Sequence, residues 1–342
     1  MFTVKSPHCL VLPLALLAIG LLISTGCTPR DQSGGGKSGK RQFVDIGTSP
    51  PGGVFNPVGS SVAETLNTNK GDAEWKAQAK TSKGSQENIR KLTSGEFQLA
   101  VSNSAISHFA TTGEGTWDQK HDIRAIATLA PNVAMFVTRK NSGIETIADL
   151  KGKSVVCGPP GAGFEMFIGP ILEAHGLSFD DFTKSNEGQS ATVDMLADGQ
   201  ADAAFLGGAV PAPALQRLCN EQDVHFIPFE ESAMDDVIEQ YAFFWRQTIP
   251  QDKYSDLESD YNGLNVGSMH LIASADMDEE TVYTITKILW ENRESTTLHP
   301  AARFNLTEEN AVKFTGTPFH PGAIRYYKEA GIWPAENDAD RP

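Results

Sequence analysis

The chain is short of the residues from which metal sites and nucleophilic centres are usually made. It holds 4 cysteines and 8 histidines in 342 residues. No two cysteines form a C-x-x-C pair, and no histidines fall into an H-E-x-x-H or other close pattern, so neither a metal nor a cofactor is expected. A G-x-S-x-G elbow is missing too. Ser49 lies among glycines and prolines, but no base can be identified for it, and catalysis is not expected. Basic residues are outnumbered: 28 Lys and Arg face 43 Asp and Glu, a net charge of −15. Such a surface argues against nucleic acid, which needs basic patches. It leaves room for an anionic ligand, because oriented backbone dipoles at a site outweigh distant, screened charge.

A comfortable membrane span is also wanting. The apolar run at residues 10–23 has 14 residues, too few to cross a bilayer. With Lys5 before it and Ser24-Thr25-Gly26-Cys27 after it, residues 1–27 read as a secretory signal. Gly26 and Cys27 fit a bacterial lipobox, although Ser24 stands where an aliphatic residue is usual. Cys27 is therefore the expected lipid site, with plain cleavage as the other reading. Residues 28–42 form a Gly/Ser-rich flexible linker. Its Gly36-Lys37-Ser38 is no P-loop, since Asp31 stands where the first glycine is required and no strand precedes it. Cys9 leaves with the signal. Cys157 and Cys219 remain, either as a disulfide of an exported protein or as two separately buried thiols.

What the chain does have is a glycine-rich turn, made twice. The apolar run Phe43-Val44-Asp45-Ile46 leads into Gly47-Thr48-Ser49-Pro50-Pro51-Gly52-Gly53-Val54-Phe55-Asn56, and a helical pattern follows at Val58, Val62 and Leu66. Ser154-Val155-Val156-Cys157 leads likewise into Gly158-Pro159-Pro160-Gly161-Ala162-Gly163 and a second helical stretch. Pro50 and Pro159 stand 109 positions apart, and Gly95 and Gly199 repeat a second feature at an offset of 104. Two modules with one order of elements predict two like-built α/β lobes. Each lobe places its turn at the carboxyl edge of a parallel sheet, where open α/β sheets bind ligands. A helix start there offers free N–H groups to an anion. Two such edges face to face make a clamp.

Other candidates lie along the same edges. Ser85 reads as an N-cap, and Asn88, one turn on, faces either the cleft or solvent. Ser102-Asn103-Ser104 ends a strand and is either a donor set or a plain turn. Gly207 and Gly208 either admit a ligand to the backbone or turn the chain. Residues 133–139 and one long strand at 264–273 are the expected crossings between lobes. Helices are expected at 235–244 and 304–314.

Taken in order, Ile46-Gly47-Thr48, Gly52-Gly53, Pro57-Val58-Gly59, Gly84-Ser85-x-x-Asn88, Ser142-Gly143-Ile144, Asp149-Leu150-Lys151-Gly152-Lys153 and Gly158-Pro159-Pro160-Gly161 resemble the TAXI family. These are extracytoplasmic solute receptors of tripartite ATP-independent periplasmic (TRAP) transporters. Pro211-Ala212-Pro213-Ala214, Ile249-Pro250 with Tyr254, and Met277-Asp278-Glu279-Glu280-Thr281-Val282-Tyr283 extend the likeness over residues 43–332. The resemblance implies a bilobal periplasmic-binding-protein fold of type II, with lobe 1 at 43–132 and 270–342 and lobe 2 at 133–269. It also implies periplasmic location and delivery of a small organic anion to TRAP membrane subunits. A receptor of an ABC importer or of a sensor kinase is the alternative. The candidate ligand site comprises Thr48, Gly53, Val54, Phe55, Asn56, Ser85, Asn88, Ser102, Asn103, Ser104, Gly161, Ala162, Gly163, Phe164, Glu165, Gly207 and Gly208.

Two departures bear on the ligand. The family often has a tyrosine pair where this chain has Val54-Phe55 or Phe55-Asn56, and Gly-Ser-Gly-Thr where it has Gly161-Ala162-Gly163-Phe164. Losing two hydroxyl donors removes roughly 0.5–1.5 kcal/mol each, more toward a charge. A ligand with one carboxylate and an apolar or aromatic body is expected, and glutamate is disfavoured. Glu165 would repel a second carboxylate, accept an ammonium group, or face solvent as a favourable helix-dipole charge.

Overall fold

Apolar residues at alternate positions and at helical spacing build the first layer. The computed structural model describes residues 43–51 and 53–334; the signal segment with Cys27, the linker, Gly52 and residues 335–342 lie outside that part. The chain opens with β1 (Phe43–Gly47), α1 (Phe55–Asn69), β2 (Lys76–Lys80), α2 (Ser85–Thr93), β3 (Leu99–Asn103), α3 (Ser104–Thr112) and β4 (Ile123–Ala130). Val58, Val62 and Leu66 are all fully buried, so the four-residue spacing does mark the inner face of α1. All five residues of β3 are buried, as expected of a central strand covered on both faces.

The chain then crosses through β5 (Val133–Ala134) and β6 (Phe136–Arg139) and repeats the pattern. It runs through β7 (Ser154–Val156), α4 (Glu165–Ala174), β8 (Thr183–Ser185), α5 (Gln189–Ala197), β9 (Ala203–Phe205), α6 (Pro213–Glu221), β10 (Val224–Ile227) and α7 (Glu231–Gln240). It returns by β11 (Phe244–Ile249), β12 (Tyr261–Val266) and β13 (Met269–Ser274), and closes with α8 (Glu279–Glu291), α9 (Pro300–Arg303), α10 (Glu308–Ala311) and α11 (Pro321–Glu329). One sheet has the order β2-β1-β3-β13-β4, and the second, taken from its β8 edge, β8-β7-β9-β6-β10. In each, three strands are parallel and the remaining two run antiparallel to their neighbours. The internal repeat in the sequence is thus a repeat of topology. A small antiparallel sheet, β11-β12-β5, carries both crossings.

Three expectations need correction. Residues 264–273 are not one strand. β12 and β13 belong to different sheets and are separated by Gly267, at φ 93°, and Ser268. Any Cβ on Gly267 would collide with Asn103 Oδ1 and the Ala105 backbone N–H, so the break requires glycine twice over. The helix expected at 235–244 is α7, four residues earlier at both ends. Phe244 instead opens a strand whose burial alternates. Of the helix expected at 304–314 only α10 forms; α9 ends before that range begins, and Thr307 caps α10 by accepting from the Asn310 N–H. Phe304, between them, is 67% exposed.

β13 also brings in a buried histidine. His270 Nε2 lies 2.8 Å from Ser107 Oγ, which lies 2.9 Å from Ser102 Oγ. Burial pushes the imidazole down to about 3, so it is neutral in the fold. The unfolded chain takes up this proton near pH 6.5 and the folded chain does not. Stability from this residue is therefore intact above about 6.5 and declines as pH falls toward about 3. At pH 5 the loss is roughly 2 kcal/mol. Urea unfolding from pH 7.5 to 4.5 should show the decline, and His270→Gln should make it shallower, the remainder coming from His121, His299 and His320, which burial shifts the same way.

Candidate functional site: a cavity between the two glycine turns

The two turns meet at one cavity of about 640 Å³, its open mouth included. From lobe 1 it is lined by Ser49, Pro50, Pro51, Gly53, Val54 and Phe55, by Lys83, Gly84 and Ser85, and by Asn103. Lobe 2 contributes Pro159, Ala162, Phe164, Gly188, Gln189, Gly207 and Gly208, and Asn132 comes from the crossing.

Local chemistry explains each wall. Thr48 anchors the end of β1: its N–H and its hydroxyl both donate to Lys80 O, at 2.9 and 2.8 Å. The turn closes with Gly53 N–H donating to Pro50 O at 3.3 Å. No side chain caps α1 or α4, which begin after Val54 and Phe164 respectively. Tight turns engage several of the opening amides: Asn56 N–H donates to Gly53 O, Met166 N–H to Gly163 O and Phe167 N–H to Phe164 O. The helix starts offer fewer free donors than their sequences imply. On lobe 2 the Phe164 ring packs against Phe167 and Phe205, with centroids at 5.0 and 5.8 Å. It lies where any Cβ on Gly158 would be, and Gly158 has φ 85°.

Of the candidates from the sequence, Gly53, Val54, Phe55, Ser85, Asn103, Ala162, Phe164, Gly207 and Gly208 line the cavity. Thr48, Asn56, Asn88, Ser102, Ser104, Gly161, Gly163 and Glu165 do not, and the reasons are specific. Asn56 is held by its amide to Thr48 Oγ1 and Ser49 O. Asn88 faces neither cleft nor solvent: fully buried, it donates to Thr48 O and Val101 O at 2.6 and 2.9 Å. Ser102 bonds Ser107, and Ser104, wholly buried, opens α3. The Ser102-Asn103-Ser104 stretch is no plain turn, because β3 runs straight into α3. Asn103 caps that helix with Oδ1 and donates Nδ2 to Val266 O and Gly267 O at 3.1 and 2.8 Å.

Ser85 is not an N-cap; Gly84 holds that position, and Ser85 Oγ accepts from Asn103 N–H at 2.9 Å. That leaves its hydroxyl proton for a ligand. Glu165 faces Lys184 Nζ at 3.4 Å and Asn186 Nδ2 at 3.2 Å rather than the cavity. Cys157 and Cys219 are both free, the first buried and the second half-buried, and burial pushes both thiols up to about 12. Four polar lining residues were missed: Ser49, Lys83, Asn132 and Gln189. Gln189 repeats the position of Ser85 at the start of the corresponding helix, so the internal repeat held the signal for it. Its Nε2 donates to Gly207 O at 3.0 Å, leaving the amide oxygen.

The lobes touch beside the cavity. Gln86 N–H donates to Ala162 O at 3.4 Å, and Gly84 lies so close to Ala162 that a Cβ would come within 3.3 Å of the alanine methyl.

The pattern of the NMT1-like family matches residues 46–331, taking in both sheets and both turns. The chain belongs to the NMT1-like family. Solved structures similar to this NMT1-like protein include one from Prochlorococcus marinus in complex with methylphosphonate. It shares 12% identity, with 85% of this chain and 97% of that one covered and a TM-score of 0.54. Another, from Bordetella bronchiseptica, shares 14% identity over 88% and 93%, with a TM-score of 0.52. The periplasmic aliphatic sulphonate binding protein of Escherichia coli is matched at 17% identity over 87% and 83%, with a TM-score of 0.43. The fold of this NMT1-like protein is the bilobal, two-sheet α/β fold of periplasmic binding proteins.

The paired glycines make a test of the wall. A Cβ on Gly207 would collide with the Phe205 ring and with Val133 O, whereas one on Gly208 meets only Ala212 Cβ at 3.9 Å and Asn132 Oδ1 at 4.0 Å. Gly207→Ala should cost about 1–3 kcal/mol. Gly208→Ala should stay within about 0.5 kcal/mol of the parent in urea unfolding.

Proposed function

We propose that this protein is an extracytoplasmic solute receptor. It captures a small organic anion, with one carboxylate and an apolar body, and delivers it to the membrane subunits of a TRAP transporter. The observation that carries this reading is the cavity itself: two like-built sheets present their turns to one space with apolar walls, polar edges and one cation. Phe55, Val54, Pro50, Pro159 and Phe164 suit the ligand's body. Ser85, Asn132 and Gln189 suit its polar end. Closure of the lobe at 133–269 over the lobe at 43–132 and 270–342, about the β5 and β12 crossings, follows the usual hinge mechanism for this geometry. A protein of similar fold holds methylphosphonate, itself a small organic anion.

The TAXI resemblance supplies the TRAP partner and the periplasmic location, and the lipid anchor at Cys27 rests on the lipobox-like Ser24-Thr25-Gly26-Cys27. Receptors for ATP-driven importers use the same fold, so the partner needs its own test. Uptake by cells or vesicles should follow an ion gradient and persist without ATP; uptake that requires ATP hydrolysis assigns the protein to an ATP-driven importer.

Binding is tested by thermal-shift screening of organic acids. A true ligand at a hundredfold excess over Kd stabilises by about 2.7 kcal/mol, enough to raise Tm by several degrees. Gly208→Glu, whose Cβ meets nothing closer than 3.9 Å and which brings a negative charge to the lining, should lose the ligand-induced rise in a protein that still melts cooperatively. Stabilisation by sugars or metal ions and by no organic acid would refute the ligand class.

A further inference from the structure

The cavity's walls are apolar and three amides at the adjoining helix starts, those of Asn56, Met166 and Phe167, are engaged in turns, which gives a side-chain cation the larger part in recognising charge. Among the described residues lining it, Lys83 is the only charged one, and no carboxylate is present. Lys83 sits on the loop between β2 and α2, and its stem reaches the other lobe. A Cβ built on Gly161 would stand 3.6 Å from Lys83 Cδ. On its own lobe, the Lys83 N–H donates to Glu87 Oε2 at 2.8 Å, while the other oxygen of Glu87 pairs with Lys91 Nζ at 3.1 Å. Gly84, at φ 119°, then turns the chain against Ala162. The one cation of the cavity therefore lies where the lobes meet.

We propose that Lys83 determines the specificity of the cavity, a reading that rests on the organic-anion function above. Its ammonium pairs with the ligand's single anionic group, and its stem straps the Gly161 turn of the other lobe. A ligand ammonium would lose its water without meeting a carboxylate, so zwitterionic amino acids are rejected although their bodies fit. A dicarboxylate would leave its second charge unpaired for the same reason.

Two matched sets of probes separate charge from shape: 3-phenylpropanoate, 3-phenylpropanamide and L-phenylalanine; and 4-methylpentanoate, 4-methylpentanamide and L-leucine. By titration calorimetry at least one acid should bind the parent protein, with its amide and amino acid weaker by about tenfold to a hundredfold. Lys83→Met keeps most of the stem and removes the charge. It should bring the acid down to the level of the amide and leave amide binding unchanged. Undiminished acid binding by Lys83→Met, or an amino acid bound as tightly as its acid, overturns the role of Lys83 while the organic-anion reading stands. If neither acid nor any other organic acid binds the parent protein, the organic-anion reading falls and takes this inference with it.

Discussion

One buried amide holds the architecture together. Asn103 accepts from the Ala105 and Ile106 N–H groups and donates to Val266 O and Gly267 O, so its whole hydrogen-bonding capacity is used. The first pair starts α3 directly from the end of β3. The second fixes the place where the returning chain leaves the small sheet and re-enters the first large one. Gly267 is the backbone's answer to that amide, since any side chain there would displace it. A buried amide left half-satisfied costs more than the bonds it makes are worth, so the arrangement is strongly specified.

From that junction the cavity follows. In each sheet the first of the three parallel strands ends in a glycine turn, and the two crossings set the turns against one another. The space between them is apolar on both sides because Phe55 and Phe164 stand at equivalent helix starts, just inside and just before their helices. A continuous cluster of buried side chains runs from Ile89 and Ile106 of lobe 1 to Phe136 and Phe167 of lobe 2. The lobes therefore rest against each other through packed apolar surface as well as through the Gln86–Ala162 hydrogen bond.

The electrostatics of the site run against those of the chain. The chain carries a net charge of −15, yet among the described residues the only charged group lining the cavity is a lysine. Screening confines surface carboxylates to short range. On the reading proposed above, selectivity for a negative group over a positive one rests on one local side chain rather than on overall charge.

Much of this was legible in the residues. The repeated Pro-Pro-Gly turns, the helical spacing of Val58, Val62 and Leu66, and the offset between Gly95 and Gly199 identified two like-built α/β modules, because backbone geometry and hydrophobic period are local properties. Gly53, Val54, Phe55, Phe164, Gly207 and Gly208 could be found for the same reason, whereas Gly84 and Gly188 were not. Polar residues could not be sorted this way. Asn88 and Asn56 have the same composition of donors and acceptors as Asn132 and Gln189, yet the first two are bonded inside lobe 1 while the last two line the cavity. Which carbonyl a side-chain amide meets depends on chain segments tens to hundreds of residues away. Lys83 shows the same division: its sequence position says surface loop, and only the approach of Gly161 from the other lobe turns it into part of a wall. Local spacing decided the fold; long-range contacts decided which side chains a ligand can reach.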